Sequence, residues 1–141
     1  MRVGVSLVVP VFNEEENLPG LFFALESQTV YPEEIIFVDA GSQDKSVTLI
    51  EIWFKKMELE GCSVKIIVAP DSFPGRARNI GVKQARAEFI AFLDVGVVPE
   101  NEWLQESVGF VTDRGLSGAF GMCHFYSKDN FISKVICVLS D

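Results

Sequence analysis

The sequence has a single histidine, only three cysteines and no apolar run of membrane-spanning length. Because His124 stands alone, the sequence gives no support to a histidine-based catalytic triad or a histidine metal cage. The thiols of Cys62, Cys123 and Cys137 are odd in number and widely spaced. This spacing indicates small buried thiols in a reducing compartment, and neither a disulfide framework nor a cysteine metal cluster. We therefore expect a cytoplasmic protein.

Basic residues are also scarce. Twelve Lys and Arg residues against twenty Asp and Glu residues give a formal net charge of −8 at pH 7. General nucleic-acid binding needs a basic surface and is therefore not expected. The sequence has no phosphate loop ending in Gly-Lys-Ser/Thr and no dinucleotide-type glycine fingerprint after its first apolar run. The opening stretch "MRVGVSLVVPVFNEEE" lacks a cleavage site and becomes acidic, so it predicts a first strand and not a signal peptide.

What the sequence does contain is a regular alternation of apolar runs and amphipathic segments. Strands are predicted at residues 3–9, 35–38, 64–68 and 89–93, with a fifth at 119–125. Helices are predicted after a cap at Asn13, after a cap at Ser42 or Asp44, from about Arg76, from Pro99 and Glu100, and over 131–139. Strands that are apolar throughout and alternate with helices indicate a parallel sheet covered on both faces. We expect an α/β three-layer sandwich with a mostly parallel sheet, in a single domain over residues 1–141.

Two acids end predicted strands of this sheet. Parallel strands bring their carboxyl ends to one edge, where ligands bind in such folds, so Asp39 and Asp94 should face one crevice. Asp39 would accept hydrogen bonds from a base or ribose, or it would only order the turn at Gly41. Asp94 would bind a ribose hydroxyl or a divalent cation, or it would cap the turn at Gly96.

A basic segment, "SFPGRARNIGVKQARA" (residues 72–87), stands out in this acidic chain. It contains Arg76, Arg78, Lys83 and Arg86 and no acid. A turn precedes the predicted helix, and a helix N-terminus beside guanidinium groups is a natural phosphate site. The alternative is a solvated helix face with ordinary surface arginines. The phosphate interpretation is favoured.

Three stretches of the chain, "VSLVVPVFNEEENL", "IIFVDAGSQDKS" and "GRARNIGVKQARAEFIAFLDVGVVPENEWL", resemble family 2 glycosyltransferases with the GT-A fold in their order and spacing. The resemblance covers nearly the whole chain. It implies a Rossmann-like nucleotide-binding half and transfer of a sugar from a nucleoside diphosphate sugar to an acceptor. The donor-binding positions that it implies are Pro10, Phe12, Glu14, Asp39, Arg76, Arg78, Asn79 and Asp94.

The chain departs from the pattern of that family in three places. Ala40 stands where many members have a second acid, and Gly96 replaces the last acid of the Asp-x-Asp motif. The resulting Asp-x-Gly variant leaves Asp94 as the ligand for a divalent cation, Mg²⁺ or Mn²⁺. The chain also stops at "KVICVLSD", before the part that carries the acceptor site and the catalytic base in complete members. No residue after Asp94 is a good candidate for that base.

Two interpretations of the chain's length remain open. We favour the donor-binding part of a longer enzyme over a shortened protein that no longer catalyses. A non-catalytic nucleotide-sugar-binding module is the first alternative function. A nucleotidyltransferase is the second. It is less favoured, because such enzymes typically have a glycine-rich basic loop where this chain has the acidic loop "VPVFNEEENL".

The predicted last helix carries an apolar stripe of Phe131, Val135, Val138 and Leu139. Core packing or a dimer contact is the favoured interpretation of this stripe. If it were exposed, it would drive self-association or bind the surface of a membrane.

Overall fold

Apolar, β-branched runs form the strands of this protein, and amphipathic segments form most of its helices. The computed structural model describes residues 1–119, 123–125 and 133–135. The strands are β1 (Arg2–Val11), β2 (Tyr31–Asp39), β3 (Ser63–Val68), β4 (Phe89–Phe92), β5 (Cys123–Phe125) and β6 (Ser133–Val135). The helices are α1 (Leu18–Glu26), α2 (Ser46–Leu59), α3 (Pro74–Gln84) and α4 (Trp103–Arg114). The chain divides into two compact units, Met1–Leu104 and Gln105–Asp141.

The first unit contains a four-stranded parallel sheet in the order β3-β2-β1-β4. The register places Val11 beside Asp39 and Asp39 beside Val68, so three strands end at nearly the same level. The chain runs outward from β1 to β3 and then returns to the other side of β1 with β4. The point where the strand order reverses, between β1 and β4, is where open α/β sheets form their binding crevice.

Helices cover both faces of this sheet, which confirms the predicted three-layer α/β architecture. On one face, α1 and α2 pack on β1 and β2 in a cluster that includes Leu7, Leu21 and Phe37. The Phe22 and Trp53 rings of α1 and α2 stack there with centroids 4.5 Å apart. On the other face, α3 packs on the alternate residues of the same strands, such as Val8, Ile36 and Val38. The period-2 alternation of the strands therefore separates the two layers of core.

The predicted helix cap at Asn13 is wrong. The helix α1 begins at Leu18, preceded by Asn17, and Asn13 lies in a loop with a positive φ of 53°. The physical reason is Pro19, which has no backbone N–H and fits only in the first turn of a helix. A helix that began next to Asn13 would have placed Pro19 in its interior.

The remaining helix and strand starts differ by a few residues. The helix α3 begins at Pro74 and α4 begins at Trp103, instead of at Arg76 and Pro99. The strand β2 begins earlier than predicted, at Tyr31, because it pairs along the full length of β1. Residue 119, the predicted start of the fifth strand, is not in a strand, and β5 begins at Cys123.

The predicted helix over residues 131–139 is wrong at residues 133–135, which form β6 antiparallel to β5. Pairing of Lys134 with His124 prevails there over the helical spacing of the apolar residues. Val135 of the apolar stripe is therefore a strand residue, and Phe131, Val138 and Leu139 lie outside the described residues. Within the described part of the chain, no helix combines the length and apolar character needed to cross a bilayer.

Candidate functional site

The loops that follow β1 and β2 are joined by five hydrogen bonds, and we call this set the loop latch (residues 13–15 with 42–46). Backbone N–H groups donate all five bonds, and side-chain oxygens of the opposite loop accept them. The pairs are Asn13 to Ser42 Oγ (2.9 Å), Glu14 to Ser46 Oγ (2.8 Å), Glu15 to Asp44 Oδ2 (3.0 Å), Gln43 to Asn13 Oδ1 (2.8 Å) and Lys45 to Glu15 Oε2 (2.8 Å). The latch fixes the two loops as one wall at the carboxyl edge of the sheet.

Asp44 is the most connected side chain of the loop latch. Besides Glu15 N–H, it accepts the N–H of Ser46, the first residue of α2, at 2.9 Å. Desolvation alone would raise the pKa of Asp44, but hydrogen bonds from Ser46 and Glu15 outweigh it and hold the pKa below its usual value. The predicted cap at Ser42 or Asp44 is therefore wrong, since Lys45 is the N-cap residue of α2; Asp44 accepts the N–H of Ser46 from one position earlier, and Ser42 accepts a bond from Asn13.

Asp39 ends β2 and is only 2% exposed. Its Oδ2 accepts the N–H groups of Gly41 and Ser42 at 3.0 and 3.1 Å. Gly41 has a φ of 98°, a conformation that favours glycine. Asp39 therefore orders the turn, and it also contributes to the wall of the cleft that opens beside that turn.

This cleft has a volume of about 540 Å³ and lies at the ends of β1, β2 and β3. Its lining residues come from the strand ends and the loops after them, and include Phe12, Asp39, Ala40, Gly41, Val68 and Pro70. The Phe12 side chain is 57% exposed, although it is large and apolar. A cleft of this size with an exposed aromatic face and a buried acid suits a flat heterocycle with polar edges.

A second group of predicted residues lies around the crevice between β1 and β4. The Nη2 of Arg78 on α3 donates to Oδ1 of Asp94, just after β4, at 2.6 Å. Their side chains are 32% and 58% exposed, so solvent reaches the pair.

The pairing of β4 with β1 ends at Phe92 and Val8, with Pro10 beyond it. Along a strand, residues two apart point their backbone N–H groups toward the same neighbouring strand, so the nitrogen of Pro10 faces the β4 side, as that of Val8 does. Because the pairing with β4 has already ended there, β4 needs no hydrogen bond from Pro10, which has no N–H.

The N-terminus of α3 lies in the same part of the first unit. Phe73 precedes the helix in an extended conformation, and no described side chain caps its first turn. Because the first N–H groups of a helix have no intrahelical partner, those of Gly75 and Arg76 remain for a ligand. The side chains of Arg76 and Asn79 are exposed.

Glu14 is the predicted site residue whose side chain the structure directs elsewhere. Its Oε2 accepts a hydrogen bond from Asn17 Nδ2 at 2.7 Å, within its own loop. Its backbone N–H belongs to the loop latch. Glu14 therefore contributes to the position of the loop, while Pro10, Phe12 and Asp39 lie at the strand ends themselves.

The described residues do not fit a resident divalent cation. They include no group of three or more His, Cys, Asp or Glu side chains placed to hold a metal. Mg²⁺ is usually anchored by one or two carboxylates besides water and phosphate oxygens, and the carboxylate at this crevice, Asp94, already accepts a bond from Arg78 at its Oδ1. Gly96 contributes no side-chain ligand at the position of the missing acid.

Sequence reasoning missed the roles of Glu15 and Asn13 in the loop latch. The available signal was polar residues directly after each of two consecutive strands. If β1 and β2 are neighbours in a parallel sheet, the loops after them lie side by side, and their polar side chains can pair. The individual pairs depend on a register that the sequence did not supply.

Comparison with known proteins places these features in a family. Residues 6–135 match the model of glycosyl transferase family 2. The chain is 30% identical over 125 residues to the glycosyltransferase AglE of Haloferax volcanii, covering 86% of this chain and 40% of AglE. It is 29% identical over 111 residues to TarS of Staphylococcus aureus, a poly(ribitol-phosphate) beta-N-acetylglucosaminyltransferase, covering 77% of this chain and 19% of TarS.

Solved structures show the same fold. TarS residues 1–349 in complex with UDP-GlcNAc align with a TM-score of 0.66 and 27% identity, covering 79% of this chain and 32% of that chain. The mannosyltransferase PcManGT of Pyrobaculum calidifontis, in complex with GDP-Man and Mn²⁺, aligns with a TM-score of 0.69 and 20% identity. The alignment covers 80% of this chain and 33% of PcManGT. The chain spans less than half the length of each of these relatives. From the family match and the shared α/β sheet, we conclude that this chain belongs to glycosyltransferase family 2.

Proposed function

We propose that this chain carries the donor-binding part of an enzyme that transfers a sugar from a nucleoside diphosphate sugar to an acceptor. The observation that carries the proposal is the position of the cleft beside Phe12 and Asp39, at the same sheet edge as Arg78 and Asp94. A nucleoside diphosphate needs both a pocket for its base and cations for its phosphates. The complex of TarS with UDP-GlcNAc supports this choice of ligand.

In this proposal the nucleoside occupies the cleft of about 540 Å³. The exposed ring of Phe12 provides a surface on which a base stacks. Asp39 already accepts two backbone N–H groups, yet a carboxylate has about four lone-pair positions. The remaining positions accept hydrogen bonds from the base or the ribose.

The diphosphate lies toward the N-terminus of α3. The free N–H groups of its first turn and the guanidinium groups of Arg76 and Arg78 face the phosphate oxygens, with Asn79 one turn along. During transfer, the bond from the anomeric carbon to the phosphate oxygen breaks and its electron pair stays on the diphosphate. These positive groups stabilise that charge. The acceptor oxygen forms the new bond and gives its proton to a base that we assign to no residue of this chain.

Calorimetric titration with UDP, GDP and their hexose conjugates tests the proposal. We expect one nucleotide class to bind. Phe12→Ala should weaken that binding by about tenfold, because base stacking on an aromatic ring is worth about 1 to 3 kcal/mol.

Phe23→Ala is the matched control, since Phe23 is also an exposed phenylalanine, 72% exposed on α1, and does not line the cleft. It should leave the affinity unchanged. A folded chain that binds none of these nucleotides would contradict the proposal, and equal losses in both variants would remove Phe12 from it.

A further inference from the structure

We propose that this chain binds the diphosphate of its donor without a divalent cation, with the Arg78 guanidinium in the place beside Asp94 that a cation would take. The inference rests on the proposed function and specifies which group supplies the positive charge beside the diphosphate. The described residues include no group of three or more His, Cys, Asp or Glu side chains that could hold a metal ion.

Arg78 is already hydrogen-bonded to the Asp94 carboxylate. Its Nη2 lies 2.6 Å from Asp94 Oδ1, a short, charge-assisted hydrogen bond. A cation that coordinated the same oxygen would have to displace the guanidinium or sit next to its positive charge. Either event weakens cation binding relative to an acid without such a partner.

Among the described residues, Asp94 belongs to no group of three or more His, Cys, Asp or Glu side chains that could hold a metal. Asp39 is 2% exposed, accepts the N–H groups of Gly41 and Ser42, and in the proposed function its remaining lone-pair positions bind the nucleoside. Position 96 has a glycine, so the turn after β4 supplies Asp94 alone. Mg²⁺ or Mn²⁺ can take most of its ligands from water and substrate phosphates, but it still needs a free protein carboxylate as its anchor, and the Asp94 carboxylate is already paired with Arg78.

Arg78 can itself neutralise the phosphate charge that a cation would otherwise neutralise. A guanidinium has five N–H donors in a rigid fork, and the bond to Asp94 uses one of them. Asp94 thereby orients the fork, and the remaining donors can pair with two phosphate oxygens. Arg76, exposed in the first turn of α3, adds a second positive charge. In this arrangement Asp94 is a positioning residue for Arg78.

The experiment is calorimetric titration of the full chain with UDP and GDP, once with EDTA and once with Mn²⁺. For the nucleotide that binds, we expect dissociation constants that agree within about threefold in the two conditions. Arg78→Met, which keeps much of the side-chain length without the charge, should weaken binding in EDTA by about tenfold or more.

A gain-of-function variant makes the test sharper. An added Cβ at Gly96 would meet no atom within 4 Å, so Gly96→Asp is a suitable change at this position. Combined with Arg78→Met, it should provide a pair of acids that anchors a cation on the diphosphate, so that Mn²⁺ tightens nucleotide binding by about tenfold. Gly20→Asp adds the same charge at another open position and should not do so.

The outcomes separate the two proposals. Nucleotide binding by the unmodified chain that needs Mn²⁺ would overturn this inference and leave the proposed function standing. Equal binding in both conditions that survives Arg78→Met would also overturn it. The absence of binding to any nucleotide in either condition, with circular dichroism showing a folded chain, would contradict the proposed function and this inference with it.

Discussion

Gly81 of α3 lies directly over Val8 of β1, and this close approach sets the distance of α3 from the sheet. A Cβ at position 81 would come within 3.1 Å of Val8 Cγ2 and closer still to Cγ1. Val8 is fully buried and β-branched, so it has little freedom to move aside. The position of Arg76 and Arg78 at the sheet edge therefore depends on a glycine one to two turns further along the helix.

We expect Gly81→Ala to destabilise the fold by about 1 to 3 kcal/mol, because the overpacking outweighs the gain in helix propensity. Urea unfolding monitored by circular dichroism measures the change. Gly20→Ala in α1 is the control, since its added Cβ meets no atom within 4 Å and should be neutral or stabilise by up to about 1 kcal/mol. Equal stability of Gly81→Ala and the unmodified chain would show that α3 can lift from β1.

Asp39 combines two tasks in one buried carboxylate. Asp39→Ala removes the acceptor of the Gly41 and Ser42 N–H groups, which should cost about 1 to 3 kcal/mol of unfolding free energy. Asp39→Asn keeps one oxygen and should lose less stability, while nucleotide affinity still falls because the charge is gone. Urea unfolding and calorimetry on both variants measure the two effects. Unchanged affinity in a folded Asp39→Asn variant would reduce Asp39 to a turn-ordering residue.

At the scale of elements, the loop latch makes two separate connections act as one. Each loop follows a buried strand, and β1 and β2 are neighbours, so the loops emerge side by side. Their N–H groups would otherwise require water, whereas the latch satisfies them with side chains of the opposite loop. Phe12 and Asp39, the residues before each loop, both line the same cleft.

A double-mutant cycle tests this coupling. Glu15→Ala and Asp44→Ala should each lower the free energy of unfolding, because each leaves a backbone N–H of the opposite loop without its acceptor, and the double variant should cost less than the sum of the two. Both residues also exchange bonds with the other loop's backbone, so amide hydrogen exchange should speed up in both loops in either single variant. Glu16→Ala, a change at the adjacent exposed acid, is the control. Strictly additive effects would mean that the two loops are independent.

At the scale of the whole first unit, one buried acid ties together segments from all parts of the sheet. Glu34 of β2 is 1% exposed. Its Oε1 accepts Ser6 Oγ–H of β1 and Arg86 N–H, each at 2.7 Å. Its Oε2 accepts Lys65 Nζ of β3 at 2.9 Å, and the Arg86 guanidinium lies 3.3 Å away. The cluster joins β1, β2, β3 and the connection from α3 to β4, away from the candidate site.

This cluster predicts how stability depends on pH. Desolvation raises the pKa of Glu34, but the hydrogen bonds from Lys65, Ser6 and Arg86 outweigh it and lower the pKa to about 2, from an ordinary 4.5. Because the folded pKa lies below the unfolded one, the contribution is complete above about pH 4.5 and is lost as the pH falls toward 2.

Urea unfolding at a series of pH values between 7 and about 2.5 checks this prediction. Glu34→Gln should cost about 2 to 3 kcal/mol at pH 7, and the difference from the unmodified chain should shrink as the pH falls. The neighbouring exposed acid provides the control variant, Glu33→Gln. A difference that stays constant with pH would show that the Glu34 charge does not contribute.

The sequence by itself determined the layers, the parallel sheet and the acids at the ends of β2 and β4. These features follow from local rules: apolar runs must be buried, proline and glycine interrupt helices and strands, and parallel strands share a carboxyl edge. The same rules predicted that a helix, α3, begins within the basic segment of residues 72–87. The cap predicted at Asn13 is wrong because Pro19 fits only in the first turn of α1, which therefore begins at Leu18.

Only the tertiary structure decided which side chains meet. Arg78 and Asp94 are 16 residues apart, Glu15 and Asp44 are 29 apart, and Glu34 and Arg86 are 52 apart. Such contacts depend on strand order and register, which are set by the packing of the whole sheet and not by the local pattern. The strand at Ser133–Val135, where helical spacing predicted a helix, has the same cause, since pairing with β5 replaces the local preference.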